Sequence, residues 1–499
     1  MRVLLVNPEF PKTYWGFNYA LRIVGKRSAY PPLGLLTVSA LLPPDWEKRL
    51  IDLNVNRGLQ AKDIKWADMV FVTGMLIQKD SFHRVVNECK AGGKRVVVGG
   101  PYVSTSMQEV PKADHIFVGE AEATLPEFVA DLNVNRAKAV YKAAERPLLP
   151  TSPIPDYGLV DMRKYNTMSV QYARGCPFNC EFCDIIEIYG RVPRTKDDDQ
   201  VLAELEVLRK SGWKGTVFFV DDNFIGNKPK VKRLLPKLIE WQEKHGFPFT
   251  FLTQASVNLA DDTDLLRAMQ LAGFHRVFIG IETPVEASLN ETQKLQNTQK
   301  SLKRNLLDSV REIQSYGMEV MAGFIVGFDN DPDDVFDLQI EFIRESAIPL
   351  AMVGTLTALP DTQLWRRLRN EGRLISESDG NNVVGEGEFN FVPVMDAKKL
   401  IAGYRRIVKT VYRSSEFYAR VLDCLQRLPP PLRPEPKIRS LVGNLAVSVR
   451  IVAMLGTIDP DRTEFWKFAR QAFWQHRDRF VQAMSLAVMG YHCRELTES

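Results

Sequence analysis

Short apolar runs alternate with stretches of helical periodicity through most of the chain, and this alternation restricts the fold more than any other feature. Strands separated by helix-length segments are expected to pair in parallel, because antiparallel neighbours are usually joined by short turns. The runs that open the chain are rich in Val, Leu, Ile and Phe, and they lie at 2–7, 48–53, 68–74, 94–100 and 114–120. They predict a doubly wound α/β domain with a parallel sheet over residues 1–135.

A second series of the same kind follows a polar connector that we place at 136–166. Its apolar runs lie at 169–175, 216–222, 250–256, 276–282, 319–328 and 351–359. These βα units in succession predict a partial (β/α)6 barrel over residues 167–384, with the functional site at the carboxyl ends of its strands.

The C-terminal region, 385–499, loses this alternation and is predicted to be mainly helical, with helices at 397–424, about 438–455 and 461–495. The segment 425–437 is too rich in proline for a helix interior and is predicted to be a hinge. The later helices combine apolar faces with Arg and Lys. Such helices commonly pack on their own barrel, and the alternative is contact with a membrane surface or an apolar substrate.

The composition excludes several classes of protein. The 65 Lys and Arg residues nearly balance the 61 Asp and Glu residues, and the net charge of +4 is too small to indicate a nucleic-acid partner. No apolar run approaches the roughly 20 residues of a membrane span. We therefore expect a cytoplasmic protein, with membrane association through the C-terminal helices as an alternative. In the cytosol its six cysteines should stay reduced.

Three cysteines crowd into the segment RGCPFNCEFCDI, where Cys176, Cys180 and Cys183 have C-x3-C-x2-C spacing. Thiolates are the ligands of iron–sulfur clusters, and a tight loop lets three of them converge. Three ligands leave one iron of a four-iron cluster open to another molecule. A structural zinc needs a fourth protein ligand, usually within a second Cys/His pair, and the remaining residues offer none. The other cysteines, Cys89, Cys424 and Cys493, are expected to be buried structural thiols.

This motif, placed after the first strand of a βα barrel, resembles the signature of the radical S-adenosylmethionine (SAM) superfamily. The resemblance implies that a [4Fe–4S] cluster on the three cysteines binds SAM at its open iron. It further implies that an electron from a donor such as flavodoxin or ferredoxin cleaves SAM to a 5′-deoxyadenosyl radical. Phe182, between the last two cysteines, matches an aromatic position that packs near the adenine.

Further positions match the family at the ends of later barrel strands. The resemblance implies SAM contacts for Asp221, Asp222, Asn223, Gln254, Ser256, Glu282, Gly323 and Gly327. Glu282 would contact the ribose, and the two glycines would lie against adenine. Each match alone is weak, because a carboxylate after a strand is more often a helix N-cap and a glycine more often a turn. Their correct order over about 165–375 strengthens the resemblance.

A doubly wound domain placed before such a barrel resembles the cobalamin-binding class of the superfamily. The resemblance implies cobalamin at the carboxyl ends of the first sheet, near Asn7, Gly74, Gly99, Gly100 and Pro101. The alternative is that these residues only end strands and that the domain is structural. The chain lacks the D-x-H-x-x-G motif that supplies a histidine to cobalt, since Asp114-His115 has the wrong spacing. The resemblance therefore implies a cobalt whose lower face carries no histidine.

The whole architecture resembles the class B radical SAM C-methyltransferases, which include the hopanoid C-methyltransferases. The resemblance implies cobalamin-dependent methylation of an unactivated carbon on a lipid or polycyclic isoprenoid. One alternative is a radical SAM enzyme that joins carbons, cyclises or rearranges its substrate without methyl transfer. Another is an iron–sulfur or zinc-stabilised binding protein without turnover. No catalytic acid or base is assigned, although Tyr172, Glu187 and Tyr189 lie near the cysteines in sequence.

Overall fold

The computed structural model describes residues 1–381, 389–430, 432 and 441–498. Its first sheet is parallel throughout and has the strand order β2-β1-β3-β4-β5-β6. The strands are β1 Arg2–Asn7, β2 Glu47–Asp52, β3 Met69–Thr73, β4 Arg95–Gly99, β5 His115–Val118 and β6 Val140–Lys142. The helices of this region are α1 Asn18–Val24, α2 Leu33–Leu41, α3 Ala61–Trp66, α4 Lys79–Ala91, α5 Pro101–Thr105 and α6 Ala121–Asn133.

Apolar side chains on both faces of this sheet are buried, which explains why its strands appear as continuous apolar runs. Leu4 and Val6 pack into a cluster on one face, while Val3 and Leu5 pack into a cluster on the other. The predicted doubly wound parallel sheet is confirmed. The order 2-1-3 places a topological switch point between β1 and β3, where ligands of such sheets bind.

Strand β6 lies within the connector that the sequence analysis placed at 136–166, so that prediction missed a strand. It is an edge strand of three residues in which only Tyr141 is buried. The Tyr141 ring stacks on Phe117 with centroids 5.2 Å apart, and its hydroxyl donates to Asp131 Oδ2 over 2.9 Å. One inward side chain creates no periodicity that a sequence pattern reveals. The proposed domain boundaries remain predictions.

The second sheet has the order β7-β10-β11-β12-β13-β14 and is also parallel, which confirms the predicted partial (β/α)6 barrel. The remaining strands of the chain are β7 Met168–Val170, β8 Ala173–Arg174, β9 Arg194–Thr195, β10 Gly215–Phe219, β11 Phe249–Ala255, β12 Phe274–Glu282, β13 Glu319–Val326 and β14 Ala351–Thr355. Strands β8 and β9 pair with each other as a short antiparallel hairpin. The helices are α7 Ile185–Ile188, α8 Asp198–Lys210, α9 Lys228–Lys244, α10 Thr263–Ala272, α11 Glu286–Glu291, α12 Leu306–Ser315, α13 Val335–Glu345 and α14 Gln363–Asn370.

The C-terminal region is helical as predicted, and it packs on the barrel through Tyr412, whose hydroxyl donates to Ala351 O over 2.7 Å. Its helices are α15 Ala397–Val411, α16 Ser414–Arg427, α17 Leu441–Ala453, α18 Arg462–Gln475 and α19 Phe480–Glu498. The first predicted helix is broken into α15 and α16, and the last into α18 and α19. Residues 425–427 of the predicted hinge are the end of α16. Residues 431 and 433–437 of the hinge, and the start of the helix predicted from 438, lie outside the described residues. Within the described part of the chain, no helix has the length and apolar character needed to cross a membrane.

A cluster of buried ion pairs joins the first sheet's region to the barrel. Arg174 of β8 pairs with Glu120 over 2.7 Å and with Glu122 over 2.8 Å, while Arg194 of β9 pairs with Glu120 over 2.6 Å. Burial raises the pKa of Glu122, but pairing with Arg174 outweighs burial and lowers this pKa to about 2. The hairpin that carries the cysteine loop is therefore held against the first domain by charge.

Candidate active site between the two sheets

The three predicted cysteine ligands lie in the loop between β8 and α7, at the carboxyl end of the first barrel strand. The loop is closed by main-chain hydrogen bonds from Cys176 N to Gly190 O, 3.2 Å, and from Cys183 N to Cys180 O, 3.1 Å. Gly175 has a φ of +95°, and a Cβ there would lie 2.8 Å from Gly190 O. Only glycine therefore permits the turn that presents these thiols.

Amide groups and one ammonium surround the thiols. Asn223 Nδ2 lies 3.7 Å from Cys176 Sγ, and Gln296 Nε2 lies 3.4 Å from Cys180 Sγ. The Lys294 ammonium is largely buried beside them. Burial lowers its pKa, but the Glu282 carboxylate and the Cys180 thiol outweigh burial and raise this pKa above its ordinary value. Donors to sulfur and a nearby cation stabilise the negative charge of a thiolate-bound iron–sulfur cluster.

The geometry does not suit a single metal ion. Among the described residues, no three His, Cys, Asp or Glu side chains are close enough to share one ion. Thiolates on one zinc must converge on a point about 2.3 Å from each sulfur, whereas a cubane holds them around a larger body. The amide donors beside Cys176 and Cys180 and the nearby Lys294 ammonium fit the thiolates of an iron–sulfur cluster.

A cavity of about 550 Å³ opens between the carboxyl ends of the two sheets. Of the residues predicted from the sequence, Phe182, Cys183, Gln254, Glu282 and Gly323 line it. The structure thus brings one cysteine, the aromatic Phe182 and residues of three later strands to one space. This volume lies within the range of small-molecule sites, roughly 300–1,000 Å³.

Glu282 is the most constrained of the cavity residues. It has a φ of +64°, in the left-handed region that residues with a side chain rarely adopt, at a register shift near the end of β12. Its Oε1 accepts a hydrogen bond from Lys294 Nζ over 2.6 Å. A side chain at Gly280 would collide with this pair. Backbone strain that surrounding structure maintains is a frequent mark of a functional position.

Other predicted SAM contacts are used within the protein. Asp221 is fully buried, and its oxygens accept N–H groups of Tyr172 and Ala173 over 2.8 and 2.9 Å. Asp222 accepts the N–H of Gly175 over 3.0 Å. These carboxylates tie the end of β10 to the approach to the cysteine loop, and SAM contact by either of them stays a prediction.

Two further predicted residues support the cysteine loop indirectly. Asn223 Nδ2 donates to Ser256 Oγ over 3.1 Å, and Ser256 N donates back to Asn223 Oδ1 over 3.2 Å. The pair orients the amide that faces Cys176. Gly327, with a φ of +105°, donates its N–H to Asp331 Oδ2 over 2.8 Å and therefore forms the turn after β13.

The residues predicted to contact cobalamin lie at the carboxyl ends of β1, β3 and β4. Asn7 donates to Asp52 Oδ1 over 2.9 Å. Gly74 packs against Phe82, where a Cβ would lie 3.1 Å from the ring. Gly99, Gly100 and Pro101 make the turn into α5, with Gly100 at a φ of +98°. These contacts are also those expected if the residues only end strands, which was the alternative drawn from the sequence. Contact of these residues with cobalamin therefore stays a prediction.

The first domain reaches the cavity through residues that the sequence analysis missed, which are Phe10, Asn54, Met75 and Ile77. They follow β1, β2 and β3, on either side of the switch point. His115, the histidine nearest to a cobalt-binding motif, is buried in β5, and its Nδ1 pairs with Lys138 O over 2.6 Å. This agrees with a corrinoid site that does not use this histidine.

Comparison with known proteins gives the family. A family model described as the radical SAM superfamily matches residues 170–343, and one described as a B12 binding domain matches 26–129. A third, a domain of unknown function called DUF4070, matches 362–499. An uncharacterised methyltransferase of Synechocystis sp. is 42% identical over 94% of this chain and 87% of that protein. The hopanoid C-2 methylase of Rhodopseudomonas palustris is 34% identical over 94% of this chain and 88% of that protein.

The chain belongs to the cobalamin-binding radical SAM methyltransferases. OxsB, solved with aqua-cobalamin bound, has the same fold, with a TM-score of 0.61, 16% identity, and coverage of 100% of this chain and 80% of that chain. TsrM from Kitasatospora setae, solved with cobalamin and a [4Fe–4S] cluster, matches with a TM-score of 0.57, 16% identity, and coverage of 99% of each chain. This radical SAM methyltransferase therefore uses SAM, a [4Fe–4S] cluster and cobalamin, and the alternative of a binding protein without turnover is wrong.

Proposed function

We propose that this methyltransferase methylates an unactivated carbon of a lipid, with a polycyclic isoprenoid of the hopanoid kind as the leading candidate. The observation that carries the proposal is the wall of the cavity. Many of the side chains around it are aromatic or aliphatic, including Trp15, Met75, Phe218, Phe278, Met352 and Leu359. Apolar surface buried there contributes roughly 25 cal/mol per Å², and a polar substrate without partners loses its hydration.

The relationship to the hopanoid C-2 methylase supports the same substrate class, because the alignment covers nearly the whole of both chains. It includes the C-terminal helices, which lie outside the two cofactor domains. We assign the substrate class from this likeness together with the apolar wall, and the carbon that is methylated is left to experiment.

We assign the cluster to Cys176, Cys180 and Cys183, with the Gln296 amide and the Lys294 ammonium stabilising the charge on its sulfurs. Gln254 and Glu282 offer the polar groups in the cavity that would hold SAM, and Phe182 offers a ring face for adenine. When bound, the cofactors supply hydrogen abstraction and the methyl group. The chain's part is to position them and to exclude water, so no catalytic acid or base is needed.

We place cobalamin over the carboxyl ends of the first sheet, against Phe10, Asn54, Met75 and Ile77. A position there directs one corrinoid face toward the barrel mouth, since the same cavity is lined by both domains. Electrons would come from a small donor such as flavodoxin or ferredoxin, and no nucleic acid is involved.

We further propose that the C-terminal helices rest on a membrane surface from which a lipid substrate is drawn. Side chains on α17, α18 and the turn between them are apolar and exposed: Leu445 65%, Val449 59%, Ile458 68%, Trp466 49% and Trp474 77%. On α18 the exposed Arg470 lies midway between the two tryptophans at four-residue spacing, hence on the same face. Aromatic and cationic side chains on one face favour an anionic bilayer surface.

The test is anaerobic reconstitution with iron, sulfide and hydroxocobalamin, followed by SAM, a strong reductant and a hopanoid in detergent micelles. The proposal predicts a methylated hopanoid together with 5′-deoxyadenosine and S-adenosylhomocysteine in equal amounts. A polar compound, free tryptophan, serves as the control and should yield no methylated product.

Two other outcomes separate the alternatives. Formation of 5′-deoxyadenosine and a changed hopanoid skeleton, without S-adenosylhomocysteine, would support carbon–carbon bond formation or rearrangement instead. Methylation of the polar control in place of the hopanoid would contradict the proposed substrate class.

A further inference from the structure

A second apolar cavity, of about 100 Å³, lies deeper in the barrel than the first, between the barrel wall and helices α1 and α19. Two of its strand residues, Leu252 and Met321, each lie two positions before the strand residues Gln254 and Gly323 of the larger cavity. Most of the lining is aliphatic or aromatic, and the polar lining residues are Asn166, Thr167, Ser485 and Arg276, which pairs with Glu319. Small cavities with mainly apolar walls accept hydrocarbons.

A layer of aromatic side chains separates the two cavities. Trp15, Tyr30 and Phe218 line both of them. The Trp15 ring stacks on Phe218 with centroids 6.3 Å apart and planes within 4°, and it contacts Phe278 with centroids 4.9 Å apart. Tyr30 packs edge-on against Phe218 at 6.0 Å. Trp15 belongs to none of the barrel strands but comes from the segment that follows β1.

His492 of α19 holds that segment on both sides of Trp15. Its Nε2 lies 3.1 Å from Thr13 O, and its Nδ1 accepts the N–H of Tyr19 over 3.4 Å. Since Nδ1 accepts, Nε2 carries the proton and donates to Thr13. Thr13 Oγ1 also accepts the N–H of Gly16 over 3.1 Å, which fixes the turn that carries the indole. The C-terminal region thus determines where a side chain of the N-terminal region lies inside the barrel.

We propose that Trp15, positioned by His492, is the floor of the substrate cavity and limits how far an aliphatic chain reaches below the reacting carbon. This specificity role rests on the proposed lipid substrate. The smaller cavity is the space that becomes available when the indole is removed, and its mainly apolar walls suit a linear or branched hydrocarbon chain. Each methylene newly buried there should raise affinity about fourfold, from the transfer of one CH₂ out of water.

The experiment measures binding of linear primary alcohols, from hexanol to dodecanol, to the cofactor-loaded enzyme by isothermal titration calorimetry. In the unmodified protein the gain in affinity with chain length should stop at one length, where the chain meets the indole. Trp15→Ala should extend the gain to longer alcohols, at about fourfold per methylene. Trp15→Phe, a smaller change with less risk to folding, should shift the limit by less.

Trp474→Ala is the matched control, because it removes the same side chain from an exposed position remote from both cavities. It should leave the length limit unchanged. His492→Ala should make the length limit less sharp although Trp15 is present, because the indole is no longer held in one position. The double variant with Trp15→Ala should show the same dependence on chain length as Trp15→Ala alone. Equal length limits in the unmodified protein and both Trp15 variants would overturn the proposal, as would failure of every alcohol to bind.

Alcohol binding does not depend on turnover, so this result is separable from the test of the proposed function. If the cofactor-loaded enzyme methylates no lipid but shows the length limit, the proposed substrate is contradicted and the role of Trp15 is supported. If the enzyme methylates a hopanoid but shows no Trp15-dependent length limit, the proposed function is supported and the role of Trp15 is contradicted.

Discussion

His492 should remain neutral far below the pH at which an ordinary histidine gains its second proton. Its side chain is fully buried, and burial lowers its pKa to about 4 although the neighbouring carbonyl of Thr13 favours the charged form. Protonation would also place a proton on Nδ1, where the ring now accepts the N–H of Tyr19. The two hydrogen bonds by which His492 holds the Trp15 segment therefore require the neutral imidazole.

The effect on stability follows from linkage. The pKa is about 6.5 in an unfolded chain and about 4 in the folded protein, so below pH 6.5 the unfolded chain binds the proton first. This histidine thus lowers the free energy of unfolding as pH falls from 6.5 to 4. The loss is about 1 kcal/mol between pH 7.5 and 5.5 and roughly 3 kcal/mol by pH 4.

Selective carbon-13 labelling of histidine makes the pKa directly measurable, because the chain has only six histidines. NMR titration should show two rings that do not titrate above pH 5, those of His492 and His275, and His492→Gln should remove one of them. Urea unfolding at pH 7.5 and 5.5 should show a smaller loss of stability in the variant than in the unmodified protein. Burial also lowers the pKa of His275 to about 4, so this residue should cause part of the stability loss at pH 5.5 in both the unmodified protein and the variant. If the imidazole of His492 titrates near pH 6.5, it is not held neutral by burial, and the predicted loss of stability would not arise from it.

Three other predictions concern charge and surface. Lys294→Met should lower the reduction potential of the reconstituted cluster by about 60 mV, measured by electron paramagnetic resonance during redox titration, while Lys294→Arg should retain it, because the cation stabilises the reduced cluster. A potential unchanged in Lys294→Met would contradict this. Arg174→Met should destabilise the protein by about 3 kcal/mol in urea unfolding, since Glu122 is left buried and unpaired, and a loss under 1 kcal/mol would argue against the ion-pair cluster. Trp474→Ser should reduce co-sedimentation with phosphatidylglycerol vesicles and leave thermal stability unchanged, and equal co-sedimentation would count against the membrane surface.

The strand pattern of both sheets was predictable because parallel strands are covered on both faces and appear as unbroken apolar runs. Val3 and Leu5 face one side of the first sheet and Leu4 and Val6 the other, so positions 3–6 of β1 are all apolar. Strand β6 has one buried residue and could not be found in this way. The cysteine loop was predictable because its ligands are close in sequence.

The surroundings of the cluster were not predictable, since they depend on contacts between distant segments. Gln296 lies 116 positions from Cys180 and has no motif of its own. Lys294 sits in the same connection after α11, which carries no strand-end signal. Asp221 shows a role that the pattern did not reveal, because the carboxylate that matched a cofactor position in the family accepts main-chain N–H groups of Tyr172 and Ala173.

The position of Trp15 inside the barrel was also not predictable from the sequence. It lies between β1 and α1, in a segment without periodicity, and its place in the barrel is set by α19 at the far end of the chain. A side chain positioned by the packing of both chain ends leaves no local pattern in the sequence. The floor of the cavity is therefore a property of the tertiary structure.

Cys176, Cys180 and Cys183 are assigned as the ligands of the cluster on which SAM is cleaved, and a comparison of two triple variants tests this assignment. The variant with Cys176, Cys180 and Cys183 replaced by Ala is reconstituted anaerobically beside a variant with Cys89, Cys424 and Cys493 replaced by Ser, all three of which are buried elsewhere. Iron content, cluster absorbance and 5′-deoxyadenosine are measured for each. The first variant should lose all three signals, and the second should keep them. Cluster absorbance retained in the first variant would contradict the assignment.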